Sequence, residues 1–173
     1  MGDLLAGLIG SLAAGVLILV VLYMVAYFGV LYLPAVALMT LLVGIAVYVY
    51  LRFMRALGER WFTVLGPPVI AASAAGVVLL WLGRGEGAVV VAAAYFGEPV
   101  LGYFIYKKLA GVDRLWAAVF LLSAAAYAYS LPAVMAGHWY IPFAADLAKT
   151  VALVFIIRRV WGAAGGQRRG GRF

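Results

Sequence analysis

The chain has 173 residues, of which 68% are hydrophobic and only 11% are charged, and its formal net charge at neutral pH is +7. A soluble domain of this length cannot bury so much apolar surface, because much of its exterior has to face water. The composition therefore excludes a soluble globular protein and predicts an integral membrane protein. The sequence contains no cysteine, which excludes disulfide bonds and thiolate metal sites.

Charge-free stretches predict six membrane spans. Residues 4–51 carry no charged side chain, and because one span needs about 20 residues, this stretch holds two helices. Leu33-Pro34 is the predicted break between them, since proline disfavours helix in the residue before it. The predicted spans cover 5–31, 34–51, 61–82, 88–106, 115–136 and 139–157. We therefore expect an all-α bundle of six transmembrane helices over residues 1–160.

The positive residues predict how this bundle is oriented. Six spans put both termini on one side, and eleven lysines and arginines fall on that side, against Arg84 alone on the other. The positive-inside rule then makes both termini cytoplasmic, in a multi-pass protein of the plasma membrane. Residues 161–173 are rich in glycine and arginine, and we expect a flexible basic tail that contacts anionic lipid or a membrane partner, not nucleic acid. All five tryptophans fall at predicted span ends, as in an interfacial belt: 61, 81, 116, 139 and 161.

Two local patterns predict how the helices pack. Gly66-Pro67-Pro68 is expected to kink or delay the third helix, with neighbouring groups binding the carbonyls that the prolines free. The first span carries small residues at four-residue spacing twice, a pattern that allows close helix approach in lipid. These residues are Ala6, Gly10 and Ala14, and Gly7, Ser11 and Gly15. The pattern indicates either packing within the bundle or the docking of a partner subunit.

Asp146 and Lys149 are the most informative residues, because they lie within the last predicted span. Inserting an ionisable side chain at that depth costs about 2.5–3.5 kcal/mol of free energy on insertion scales. Interaction partners or a function must offset this cost. Their spacing of three places them on one helix face, where they can touch. The pair either neutralises itself and aids packing, or meets a polar or zwitterionic ligand, or relays protons. Pro142 removes the usual donor to the His138 carbonyl and predicts that the first turn of this helix is irregular and polar.

Glu98 is the third charge within a predicted span. Pro99 follows it, so we expect a broken hydrogen-bond ladder like that of the discontinuous helices of transporters. Glu98 is then available to accept a hydrogen bond, to pair with Lys149, or to stay protonated because burial disfavours its charged form. His138 is the single histidine, and we interpret it as an interfacial residue and not a metal ligand. No standard catalytic motif is present, so the sequence predicts neither an enzyme nor a bound cofactor.

The segment from Ile141 to Lys149, followed by an apolar run and Arg158-Arg159, resembles the last helix of a known family. These are the substrate-binding S components of energy-coupling factor vitamin transporters, in particular the biotin-type members. The resemblance implies a membrane-embedded protein that captures a vitamin from outside and delivers it with a transmembrane coupling subunit and two cytoplasmic ATPases. It also implies that Asp146 and Lys149 bind the ligand. From their position we place Trp139 and Tyr140 at the outer mouth of the pocket.

Three hypotheses about function follow. The first is a solute-binding subunit in the manner of an S component, with Asp146 and Lys149 on the ligand and Glu98 lining the cavity. The second is a non-enzymatic structural or assembly subunit of a larger membrane complex, in which the charged pair only aids packing. The third is a small carrier coupled to protons or ions through Glu98.

Overall fold

A computed structural model describes residues 2–169, with side chains for residues 2–162. Within that range, the regular elements are all α-helices: α1 (Gly2–Phe28), α2 (Leu33–Leu57), α3 (Arg60–Trp81), α4 (Gly87–Tyr95), α5 (Glu98–Leu109), α6 (Arg114–Ser130), α7 (Pro132–Met135) and α8 (Tyr140–Arg169). They form six stretches long and apolar enough to cross a membrane, with α4 and α5 making the fourth and α6 and α7 the fifth. The predicted all-α, six-span architecture is confirmed.

The six spans pack as a ring in the order of the chain. α1 contacts α2, α2 contacts α3, and α3 packs along the α4–α5 span, which in turn contacts α6. α8 closes the ring by packing against both α6 and α1. Asp146 and Lys149 of this last span are buried inside the ring.

Two apolar clusters fill the ring above and below its middle. The cluster on the side of the N-terminus is built around Leu8, Phe53, Leu109 and Leu153. The other lies nearer the opposite side and includes Ile18, Leu42 and Tyr127. The outward surface is also apolar, with large hydrophobic side chains exposed on all six spans. A surface of this kind is stable when it faces lipid.

The prolines of the third span do not delay its helix, contrary to one part of the prediction. α3 begins at Arg60 and continues through Pro67 and Pro68. Pro67 has no N–H to donate to the carbonyl of Thr63, and the hydroxyl of Tyr50 donates to that carbonyl instead, at 2.8 Å. A neighbouring helix therefore binds a freed carbonyl, as predicted, and the helix remains continuous.

The fourth span is broken at the position that Glu98-Pro99 indicates. α4 ends at Tyr95. The next two amides donate to the carbonyl three residues earlier instead of four, from Phe96 N–H to Ala93 and from Gly97 N–H to Ala94. α5 then begins at Glu98. Pro99 occupies the first turn of α5, where a missing donor costs little. The side chain of Glu98 is therefore presented at the start of a helix in the middle of a span.

The last helix differs from the prediction at both ends. Pro142 lies within its first turn, and the carbonyl of His138 accepts a hydrogen bond from Ile141 N–H at 3.3 Å, so the opening is less irregular than expected. At the other end, α8 continues past the predicted limit at residue 157 to Arg169. A formed helix extends at low cost, which explains the continuation. The predicted tail, 161–173, is thus helical as far as Arg169, and its last residues, 170–173, lie outside the described part.

The small residues of α1 are occupied by contacts within the chain. A Cβ atom on Gly7 would lie 3.0 Å from the ring of Phe53, and one on Gly10 would lie 2.7 Å from a methyl of Val49, both on α2. A Cβ on Gly15 would lie 2.5 Å from the hydroxyl of Thr150 on α8. The stripe therefore brings α1 close to α2 and α8, which supports the packing interpretation.

Candidate functional site

Three charged side chains meet inside the ring, and they are the three that the sequence singled out. Nζ of Lys149 lies 2.8 Å from Oδ1 of Asp146 and 3.2 Å from Oε1 of Glu98, to which it donates a hydrogen bond. The side chain of Asp146 is fully buried, that of Lys149 is 5% exposed and that of Glu98 is 30% exposed. The contact between Asp146 and Lys149 is as the helical spacing predicted, and Glu98 pairs with Lys149, which was one of the three options that the sequence left open.

Aromatic and hydroxyl groups complete the surroundings of this cluster. The ammonium of Lys149 lies 4.5 Å from the centre of the Tyr127 ring, a cation–π distance. Tyr95 packs edge-on against Tyr127, with ring centres 5.5 Å apart. Thr150 follows Lys149 on α8 and is also buried. The cluster therefore joins α8, α5 and α6 around a single ammonium group.

Several oxygens of the cluster lack a hydrogen-bond partner among the described residues. They are Oε2 of Glu98, both carboxylate oxygens of Asp146, and the hydroxyl of Thr150. Oδ1 of Asp146 still has its ion pair with Lys149. Buried polar atoms are usually satisfied, so unpartnered acceptors indicate a place where a ligand or water supplies donors. Over residues 2–169, no group of three or more histidine, cysteine, aspartate or glutamate side chains is arranged to hold a metal ion.

Two cavities adjoin the cluster. The first has a volume of about 210 Å³, lies at the centre of the ring, and is lined by residues of all six spans. Glu98 and Lys149 form its charged wall, and most of the remaining lining is apolar. The second has a volume of about 480 Å³ and lies nearer the α7 side, where Tyr127 and Trp139 line it. Tyr95 lines both cavities and lies between them.

The remaining predicted site residues are not grouped around the charged cluster. Trp139 lines the second cavity and packs against Tyr27 and Phe143, with ring centres 5.9 and 5.6 Å away. Tyr140 is 56% exposed and lines neither of the two cavities. His138 is exposed, as expected of an interfacial residue. Tyr140 therefore lies outside the predicted pocket mouth, and Trp139 lies beside a cavity on that side.

Comparisons with protein-family models, with curated proteins and with solved structures find no match to this chain. Its function is therefore inferred from the geometry of the site.

Sequence reasoning missed three residues that surround the charged cluster. Thr150 had a recognisable signal, since it lies four residues after Asp146 and so shares its helix face. Tyr95 and Tyr127 had no such signal, because the chain contains eleven tyrosines and nothing in the pattern separates these two from the others. Their roles depend on how α4 and α6 pack, which the sequence alone does not define.

Gly15 gives a direct test of how tightly α1 packs on the charged cluster. In Gly15→Ala, the new methyl would lie 2.5 Å from the Thr150 hydroxyl and 3.9 Å from Oδ2 of Asp146. Threonine is branched at Cβ and stiff about χ1, which restricts how its hydroxyl can move away, so we expect a loss of about 1–3 kcal/mol in unfolding free energy. The control is Gly44→Ala, where a Cβ has no neighbour within 4 Å. Denaturant unfolding should show a loss for the first variant only, and an equally stable Gly15→Ala would contradict this packing.

Proposed function

We propose that this chain is a solute-binding subunit of a transport system in the plasma membrane, and that it takes a small molecule into the central cavity. The observation that carries the proposal is the composition of the cavity wall, where Glu98 and Lys149 lie in an otherwise mostly apolar lining. Ligand sites commonly have this form, with a largely apolar surface and a few polar groups that fix orientation. The resemblance of 141–149 to S components supports the same class of function.

The energetic cost of the cluster also favours a binding role. Three ionisable groups within the membrane are costly, and replacing a buried ion pair by apolar residues is often neutral or stabilising. A bundle that needed only to pack would therefore gain little from Asp146, Lys149 and Glu98. Their meeting at a cavity wall gives them a use that packing alone does not.

The proposed orientation has both termini in the cytoplasm. It is supported by the asymmetry of positive residues, eleven on the side of the termini and Arg84 alone on the other. On this orientation, the second cavity and Trp139 lie towards the outside. A solute from outside would then pass the second cavity and Tyr95 before it reached Glu98 and Lys149.

Delivery into the cell would need partner proteins, by analogy with the S components. We include a transmembrane coupling subunit and cytoplasmic ATPases in the proposal on that basis. The small residues of α1 would not form the docking surface in the present conformation, because Gly7, Gly10 and Gly15 contact α2 and α8 of the same chain. An exposed apolar face of another helix would have to form the docking surface for the partners.

Two other functions have specific observations in their favour. A structural subunit of a membrane complex is favoured by the ion pairs of Lys149 with Asp146 and Glu98, which satisfy its charge within the chain. A proton- or ion-coupled carrier is favoured by the position of Glu98 at a helix break, with Oε2 unpartnered among the described residues. A structural subunit predicts no ligand, and a carrier predicts flux from the purified protein alone, so binding and liposome measurements separate the three.

The proposal is tested by thermal unfolding of the protein in lipid nanodiscs against a panel of vitamins and cofactor precursors. We compare the wild type with a neutral variant, Glu98→Gln/Asp146→Asn/Lys149→Met, which removes all three charges together. The control variant is Glu59→Gln/Lys107→Met, which removes an ion pair of 3.4 Å whose side chains are 41% and 51% exposed. A ligand present at 100 times its Kd stabilises the folded state by about 2.7 kcal/mol.

We expect at least one compound to raise the unfolding temperature of the wild type and of the control variant, but not that of the folded neutral variant. A compound that stabilises the neutral variant equally would contradict a site at Glu98 and Lys149. An absence of stabilisation by every compound in the panel would favour the structural subunit.

A further inference from the structure

The charged cluster is not balanced within the chain. Asp146 and Glu98 each carry one negative charge when ionised and Lys149 carries one positive charge, so the three together have a formal charge of −1. An uncompensated charge within a membrane-spanning segment is costly. The cluster therefore favours one additional positive charge, which is either a proton on a carboxylate or a cationic group beside it.

Lys149 is poorly placed to supply an anion site. Its ammonium already contacts Glu98 and Asp146 and faces the ring of Tyr127 at 4.5 Å. An ammonium has three N–H donors, and the two carboxylates and the ring together occupy them. An acidic ligand would also have to approach two carboxylates of its own sign. The geometry thus disfavours a carboxylate or phosphate at this position.

Glu98 is well placed to bind a donor from the cavity. Its side chain lines the cavity and is 30% exposed, and its carboxylate has only Lys149 as a hydrogen-bond partner among the described residues, while its Oε2 is buried without one. Glu98 is the only carboxylate among the residues that line the central cavity. Tyr95 lines the same cavity and offers an aromatic ring near the charged wall. A carboxylate oxygen with a nearby aromatic ring is a combination that binds ammonium groups.

The rest of the cavity defines the body of the ligand. The rest of the lining is formed largely by aliphatic side chains, which include Met39, Leu42, Ile70 and Val77. The volume of about 210 Å³ exceeds the roughly 150 Å³ of an engineered apolar cavity that holds benzene. The space therefore suits a compact apolar group and not an extended polar molecule.

We propose that the central cavity binds a small amphipathic amine, whose ammonium contacts the carboxylate of Glu98 and whose apolar body lies between α2 and α3. This proposal rests on the proposed function and specifies its class of ligand. The bound ammonium would also bring the formal charge of the two carboxylates and the lysine to zero.

Three probes of equal chain length test this charge preference: hexylammonium, hexanol and hexanoate. Their binding is measured in nanodiscs by competition between the probes and by thermal unfolding. The proteins compared are the wild type, Glu98→Gln and Glu59→Gln. Glu59 is the matched control, since it is a half-exposed carboxylate outside the cavity. We expect the wild type and Glu59→Gln to bind hexylammonium at least tenfold more tightly than hexanol and to bind hexanoate most weakly. Glu98→Gln should lose the tenfold preference while it still binds hexanol, which shows that the cavity is intact.

Two results would overturn the amine proposal. One is tighter binding of hexanoate than of hexylammonium by the wild type, and the other is an unchanged preference in Glu98→Gln. In the first case the proposed function survives, because the wild type still binds a solute, and in the second case the vitamin panel tests it separately. If no probe binds while a vitamin of the panel does, the amine proposal fails alone. If neither probes nor panel bind, both proposals fail.

Discussion

Lys149→Met should destabilise the folded bundle by about 3–5 kcal/mol, the largest effect that we expect from a single substitution. Methionine fills a similar volume but removes the ammonium that lies 2.8 Å from Asp146 and 3.2 Å from Glu98. Removing one partner of a buried ion pair leaves an uncompensated buried charge, which accounts for the magnitude. SDS-induced unfolding in mixed micelles, followed by tryptophan fluorescence, measures the loss.

The lost stability should be largely restored when the two carboxylates are neutralised as well. Adding Glu98→Gln and Asp146→Asn to Lys149→Met removes the unpaired charges and leaves groups of similar shape. The control is Lys107→Met, which breaks a half-exposed ion pair of 3.4 Å with Glu59 and should cost no more than about 1 kcal/mol. If Lys149→Met is as stable as the control, then the cluster does not carry the charges that the binding proposal requires.

Gly76→Ala should separate α3 from α4 and destabilise the bundle by about 1–3 kcal/mol. A Cβ atom on Gly76 would lie 2.8 Å from the carbonyl oxygen of Gly87 and 2.9 Å from the backbone nitrogen of Val91. These neighbours are backbone atoms, so no side-chain rotation relieves the contact. The converse substitution, Gly87→Ala, would bring its methyl against the carbonyl of Gly76 and should cost a similar amount.

Gly44→Ala is again the matched control, since Gly44 lies inside α2 with no atom within 4 Å of a new Cβ. Alanine is favoured over glycine in a helix by about 0.5–1 kcal/mol, so this variant should be as stable as the wild type or slightly more so. Denaturant unfolding of the three variants compares them directly. Equal stability of Gly76→Ala and Gly44→Ala would mean that α3 and α4 do not approach this closely.

Much of the architecture was predictable from hydropathy and charge. The uncharged stretches and the Leu33-Pro34 break correctly predicted six spans, and Glu98-Pro99 correctly indicated the interruption of the fourth span. These features are local, because a span and a proline each impose their structure on adjacent residues. The end of α8 was predicted too early, since helix extension past Arg158 depends on no single residue.

The parts that depend on tertiary packing were less predictable. The pair of Asp146 and Lys149 could be inferred from helical spacing, but the contact of Glu98 with Lys149 was one of several options until α5 and α8 were placed. The close approach of Gly76 to Gly87 left no pattern comparable to the stripe of α1. Tyr140 was expected at a pocket mouth from sequence proximity alone, and in the structure its side chain is exposed and lines neither cavity.

Native mass spectrometry with the vitamin and cofactor-precursor panel tests the central claim most directly, that a solute binds in the cavity at Glu98 and Lys149. The wild type is compared with Ala46→Phe, which fills the cavity from α2, and with Ala13→Phe, a control on the exposed face of α1. We expect a bound solute on the wild type and on Ala13→Phe, and none on Ala46→Phe. Equal occupancy of all three proteins, or no bound solute on the wild type, would contradict it.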